Sequence, residues 1–238
     1  MSDPWSEIMR DAAAGISGHY TIEREDGRVE TLEVSDYRKP MEEWWEVERL
    51  AIKHVKGKVL DIGCGAGRVS LYLQNLGFDV IGIDLAAGAV DACKKLGLRK
   101  AYVMSASDLK FKYDKFDTVV LFGNNFGVAG DEKHIFTMLH QLYKFSTPDA
   151  IILAGSLDPL NTNDTEHLEY HEMNRARNRP PGLVRIRVKY KELVSEWSDL
   201  WLVTPKEMEH LAGKEGWQVE KIIQINNQAP YIAILTKS

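Results

Sequence analysis

From Lys58 onward, unbroken apolar runs alternate with segments of helical periodicity. The runs "KVLDIG", "FDVIGID", "KAYVMSA", "KFDTVVLFG" and "DAIILAGSL" read as strands, and "GRVSLYLQNLG", "AAGAVDACKKLG" and "EKHIFTMLHQLYKF" as helices, the first two stopped at Gly77 and Gly97. Val, Ile and Leu without polar alternation predict strands covered on both faces, hence a parallel sheet between helical layers. "TPKEMEHLAGKEG" then opens a helix, with Thr204 as N-cap, Pro205 at the first position and Glu207 closing a capping box. The last two apolar runs, "WQVEKIIQI" and "APYIAILTK", are joined too closely for a crossover, which predicts an antiparallel pair.

Two stretches depart from this alternation. The first, residues 1–57, reads as a short helix ending at Gly15, a hairpin turning at Asp26-Gly27, and a helix opened by Pro40 that carries Trp44, Val47, Leu50, Ala51 and Val55 on one face. We read it as a cap on a core domain spanning 58–238. The second, 158–203, reads as an insertion covering the substrate: a polar helix, a Pro-Pro-Gly stop and two strand-like runs. In one of them, "RIRVKYK", Arg185, Arg187, Lys189 and Lys191 alternate with Ile186, Val188 and Tyr190, which predicts a solvated strand face whose charges protect a sheet edge.

Composition adds mainly exclusions. Hydrophobic residues make up 44% and charged residues 27%, as in ordinary globular domains, and the net charge of -5 supplies no global field for nucleic acid. Two cysteines, Cys64 and Cys93, without CxxC spacing exclude a disulfide framework. The polar, acidic start is unlike a signal peptide, and no apolar run approaches the ~20 residues that span a bilayer. A cytoplasmic protein with no membrane or nucleic-acid partner is expected.

The candidate chemistry begins at "VLDIGCGAGR", where Gly63, Gly65 and Gly67 follow a strand end and Asp61 precedes them. A glycine loop between strand and helix lets a ligand approach backbone N–H groups closely. The dinucleotide fingerprint is G-x-G-x-x-G; here the third glycine comes one place early and an acid stands at the loop. A carboxylate repels a pyrophosphate and attracts an ammonium, so a ligand with a cationic end is expected. Asp84, seventeen residues past Gly67 at the next strand end, is placed to accept hydrogen bonds from ribose hydroxyls.

These residues, with "VIGIDLAAGAVDACKKLG" and the closing helix and strands, resemble the class I S-adenosylmethionine-dependent methyltransferases. The resemblance covers about Lys58 to Leu157 and the last 35 residues. It implies an α/β, Rossmann-like fold with a seven-stranded sheet in the order 3-2-1-4-5-7-6 and strand 7 antiparallel. It further implies that Asp61 and the loop Gly63, Cys64, Gly65 and Gly67 meet the methionine end of S-adenosylmethionine, with Asp84 on the ribose and Leu85 beside it. "MSASDLKF" resembles the adenine-binding segment, with Ser105 where many members carry Asp, Ala106 offering its N–H, and Ser107 and Asp108 as substitutes. Phe122 and Gly123 would line the cofactor near its sulfonium.

For the acceptor, Asn124 and Asn125 follow the fourth strand of the core, without the two prolines of the family's amino-methylating DNA and protein enzymes. His167 and His171 stand four apart, but Leu168 replaces the glutamate of the zincin motif, so no metal site is expected. Tyr170, His171 and Glu172 are candidate substrate contacts or bases, and Asn124, His171 and Glu172 the candidate catalytic groups. Trp44 and Trp201 are candidate aromatic walls. The reading is a methyltransferase acting on a small-molecule substrate. Its rivals are an RNA methyltransferase using the basic 175–191 segment, a nicotinamide-dependent oxidoreductase, and a non-catalytic cofactor-binding protein.

Overall fold

The structure, a computed structural model, describes residues 3–112, 115–226 and 228–238. Helix α1 (Pro4–Ala14) starts at Asp3, whose carboxylate accepts from the Ser6 N–H at 2.9 Å, and ends at Gly15. Strands β1 (His19–Arg24) and β2 (Val29–Glu33) form the hairpin, followed by α2 (Glu46–Ala51). The core alternates β3 (Lys58–Ile62), α3 (Arg68–Asn75), β4 (Asp79–Asp84), α4 (Ala87–Lys95), β5 (Ala101–Val103), β6 (Phe116–Leu121), α5 (Glu132–Phe145) and β7 (Ser146–Leu157). Then come α6 (Thr165–Ala176), β8 (Leu183–Tyr190), β9 (Leu193–Val194), β10 (Ser198–Trp201), α7 (Pro205–Lys214), β11 (Trp217–Gln224) and β12 (Pro230–Lys237). The α7 capping box is present in full.

The large sheet runs β11-β12-β7-β6-β3-β4-β5. Counting its strands along the chain and reading from the β5 edge, the order is the expected 3-2-1-4-5-7-6. Only β12 opposes its neighbours β7 and β11; the other pairs are parallel. Successive residues enter opposite apolar layers: Leu60, Val119 and Ile152 pack toward α5 and α7, whereas Val59, Val120 and Leu153 pack toward α2 and α3. Both faces are covered, which is why these strands show no polar alternation.

The hairpin and the insertion form one second sheet, β10-β8-β1-β2, with β9 on β8, all antiparallel. Its inner face sets Tyr20, Val188 and Tyr190 against Ile8, Met9 and Ala12 of α1, and against Ala66 and Ala89 of the core domain. On its outer face Glu23 receives Arg187 at 2.9 Å and Lys189 at 2.5 Å, and the Arg187 hydrogen bond leads the causes that hold the Glu23 carboxyl down at about 2. The basic run is therefore matched by acids from the adjoining segments. It also lies inside the sheet, between β1 and β10, which corrects the expectation of a charged edge.

The segment after Pro40 corrects a second expectation. Instead of one helix, a 3-10 turn at Met41–Glu43 is followed by extended backbone at Trp44 and Trp45, and only then by α2 and a further 3-10 turn. The indole of Trp44 is 4% exposed and donates to the Lys39 carbonyl at 2.9 Å, so burying the ring breaks the helix where the periodicity would continue it.

Helix α1 crosses α4 at Gly88, whose N–H donates to Ser6 Oγ at 3.0 Å. A Cβ at Gly88 would overlap the Ser6 backbone, so the helices meet this closely only at a glycine. Gly88→Ala should therefore lower stability by about 1–3 kcal/mol and speed protease cleavage between α1 and β1. A variant with wild-type melting temperature and cleavage rate would contradict this docking.

Candidate active site

The loop from β3 to α3 places Gly63, Gly65 and Gly67 at φ values of 69°, 54° and 83°, so the alternate glycines are three alternate left-handed residues. Its N–H groups do not converge on an open cradle. Those of Gly63 and Cys64 donate to the Ile83 carbonyl at 2.9 and 3.1 Å, that of Gly65 to Asp84 Oδ2 at 3.0 Å, and that of Gly67 to the Cys64 carbonyl at 2.8 Å. This corrects the expected cluster of free donors. The end of β4 takes the donors, and the Ile62 and Gly63 carbonyls beside Asp61 give the loop an acceptor character that suits a cation.

Asp61 is 3% exposed and accepts from Ser70 Oγ at 2.5 Å. Burial pushes its carboxyl up to about 6, against the Ser70 hydrogen bond and the Arg68 charge. Arg68 is itself held by both oxygens of buried Glu48, at 2.8 and 2.9 Å, and stacks 4.6 Å from the Trp44 ring. Trp44 thus belongs to the core beneath the loop and is corrected as a substrate wall. Asp84 accepts from Ala86 N at 2.9 Å as well as from Gly65, and burial raises its pKa. Each of its oxygens keeps a second lone pair.

Beyond Asp84, Leu85 is 72% and Val103 57% exposed, an open apolar ledge at the ends of β4 and β5. The segment after β5 closes a turn: Ser105 Oγ accepts from Ser107 N at 3.2 Å and its carbonyl from Asp108 N at 3.1 Å. Ala106 packs on the core, whereas Asp108 pairs with Lys110 at 3.0 Å. Cys64 is buried 3.7 Å from Cys93, so only its backbone borders the loop surface.

After β6, Phe122 sinks its ring into the layer that holds Trp44, and Gly123 stays exposed. Asn124, left-handed at φ 69°, accepts from Leu157 N at 2.8 Å and so ties β6 to β7. Asn125 donates its amide N–H groups to the Ile62 and Gly63 carbonyls, at 2.9 and 3.2 Å. Trp201 closes on this loop through its carbonyl, which abuts Gly127, and its indole N–H has no partner. Trp201 lies opposite Leu183, whose carbonyl accepts from the Asn174 amide at 2.7 Å, and Asn174 stands one turn along α6 from His171.

These contacts sort the remaining candidates. His171 is 5% exposed, burial lowers its pKa, and its Nδ1 is unpartnered. Tyr170 donates to Glu25 at 3.0 Å and accepts from Arg185 N at 3.2 Å beneath the Arg24 guanidinium, a structural role that corrects it as a substrate contact. Glu172 turns to solvent and pairs with Arg175, which corrects it as a base. His167 meets Arg24 through Nδ1 at 2.9 Å.

Four neighbours of the site are not among the residues the sequence singles out. Met9 and Tyr37 lie 3.5 Å from where a Cβ on Gly65 would be, so α1 and the 3-10 turn at Val34–Arg38 roof the loop. Tyr37 and Tyr20 pair through their hydroxyls at 3.1 Å. Only Ser70 carries a sequence signal: it is a small polar residue on the first turn after the glycine loop, among apolar positions.

The sheet order and the loop at its switch point define a Rossmann-like fold of the class I S-adenosylmethionine-dependent methyltransferases. A methyltransferase-domain family model matches residues 59–149. Among solved structures, a SAM-dependent methyltransferase from Bacteroides fragilis, in complex with S-adenosyl-L-homocysteine, superposes with a TM-score of 0.84 at 21% identity, over 100% of this chain and 95% of that one. Among curated proteins, the putative methyltransferase YqeM of Bacillus subtilis is 25% identical over 48% of this chain and 47% of its own length. The glycine/sarcosine N-methyltransferase of Halorhodospira halochloris is 24% identical over 64% of this chain and 62% of its own. The chain thus spans less than two thirds of the curated relatives it matches. No helix among the described residues is long and apolar enough to cross a membrane.

The buried Asp61 carboxylate has a consequence for stability. Its folded pKa lies above its unfolded value, so the folded chain binds the extra proton between about pH 4 and 6 and loses stability as pH rises through that window. Asp61→Asn should then be more stable than wild type by up to about 3 kcal/mol at pH 8, the gain shrinking toward pH 4. Denaturant melts at both pH values check this; a difference independent of pH would contradict it.

Proposed function

We propose that the protein transfers a methyl group from S-adenosylmethionine to a small-molecule acceptor. The observation that carries this reading is the acceptor-lined loop. Asp61, Ile62 O and Gly63 O together suit an ammonium, and the N–H groups of Gly63, Cys64 and Gly65 that could turn to a pyrophosphate are spent on the end of β4. That same feature weighs against a nicotinamide cofactor. The free lone pairs of Asp84 suit the ribose hydroxyls, and the Leu85–Val103 ledge suits the flat face of an adenine. When bound, the cofactor supplies an activated methyl on a sulfonium, which leaves with the carbon–sulfur pair staying on sulfur.

Under this reading the chain aligns and desolvates the reactants. The second sheet and α1 form the cover over the loop, uniting the 1–57 cap with the 158–203 insertion. His171, held neutral by burial, takes the acceptor's proton where the acceptor carries one. The small-molecule class is supported by this cover and by the likeness to a glycine/sarcosine N-methyltransferase. The RNA alternative is weakened because the basic run is bound to acids of this chain: Arg187, Arg179 and Arg185 to Glu23, Glu25 and Asp199, and Lys191 to Glu7 and Asp11 of α1.

Incubation with methyl-labelled S-adenosylmethionine and a metabolite extract, followed by mass spectrometry, should yield S-adenosylhomocysteine and a labelled small molecule. Asp84→Ala should weaken cofactor binding by about 1–3 kcal/mol, and His171→Gln should slow transfer while leaving cofactor affinity unchanged. Tight binding of NAD with none of S-adenosylmethionine, or label appearing only in RNA, would overturn the reading.

A further inference from the structure

We propose that the Asn125 carboxamide and the cofactor's ammonium compete for the Ile62 and Gly63 carbonyls, so that cofactor binding displaces the amide, an inference that rests on the methyltransferase reading above. The loop offers the Ile62 and Gly63 carbonyls directly after Asp61 in the chain, and the Asn125 NH2 group donates to both carbonyls, at 2.9 and 3.2 Å. An NH2 group with two donors is the side-chain counterpart of an ammonium. A Cβ at Gly63 would overlap this amide, so the space that the first glycine opens is the space Asn125 fills.

The surroundings confine movement to the side chain. The backbone of this loop is pinned on both sides, by the Asn124 bond to Leu157 N and by the packing of Gly127 against the Trp201 carbonyl. Gly123 has open space beside it, and Asn125 itself is half-buried at the mouth. An arriving ammonium takes over the two carbonyls and brings the positive charge that an ionised Asp61 favours, which a neutral amide lacks. The displaced carboxamide then swings about χ1 toward the open side of the loop at Gly123, on the reading above the side from which the acceptor approaches. Cofactor binding thereby delivers a polar group to the acceptor site, and the cofactor binds first.

Calorimetry with two ligands tests this: S-adenosylhomocysteine, which carries the ammonium, and 5′-methylthioadenosine, which does not. Asn125→Ala no longer has bonds to break, so it should bind S-adenosylhomocysteine about three- to ten-fold more tightly than wild type, with 5′-methylthioadenosine affinity unchanged. Asn125→Ser serves if the alanine variant melts too low. In the wild-type protein, the Asn125 side-chain NH2 resonances should shift with S-adenosylhomocysteine and not with 5′-methylthioadenosine. Equal or weaker binding of S-adenosylhomocysteine by both variants, or NH2 resonances that stay put, would overturn the proposal and leave the methyltransferase reading standing. A wild-type protein that binds neither ligand would overturn both.

Discussion

The end of β4 holds the glycine loop in shape, and the chemistry of the site depends on that grip. The Ile83 carbonyl accepts two N–H groups of the loop and the Asp84 carboxylate a third. With those donors engaged and three residues left-handed, the Ile62 and Gly63 carbonyls are left to meet the Asn125 amide. Under the proposed reading, a strand-to-helix turn that is elsewhere an anion site serves here as a site for a cation. The burial of Asp61 costs stability when its carboxyl is ionised, and under the proposed reading a cationic ligand offsets that cost.

Around this centre the remaining architecture packs against the core domain, and on the proposed reading it covers the site. The seven-stranded sheet brings the ends of β3, β4 and β6 together at the switch point of its order, where open α/β sheets bind ligands. The hairpin near the N-terminus and the strands of the insertion meet as one antiparallel sheet, and α1 seals it to α4 at Gly88. Arg185, Arg187 and Lys189 of β8 pair with acids on the outer face of this sheet, so the positive charge that looked available to a substrate is occupied within the chain.

Local features were legible in the sequence because their causes are local. The Thr204–Glu207 capping box, the Gly15 helix stop, the parallel core strands and the glycine loop each follow from residues within one or two turns of one another. The pairing of β1 with β8 joins segments more than 160 residues apart, and nothing in either run announces its partner. Trp44 breaks a regular helical pattern because a buried indole found a carbonyl five residues back. The candidates beyond the loop divided for the same reason. Asp61 and Asp84 lie where their motif places them, while Tyr170, Glu172 and Trp44 were drawn away by partners that only the tertiary fold supplies.

The account stands on the loop recognising a positive charge, and one titration addresses that directly. S-adenosylhomocysteine and its des-amino analogue, identical apart from the missing ammonium, can be compared by calorimetry at pH 8, where Asp61 is ionised. The analogue should bind at least about ten-fold more weakly, the scale of a lost charge-assisted hydrogen bond. Equal affinities would contradict the account, because a loop indifferent to the ammonium would not be the cation site described here.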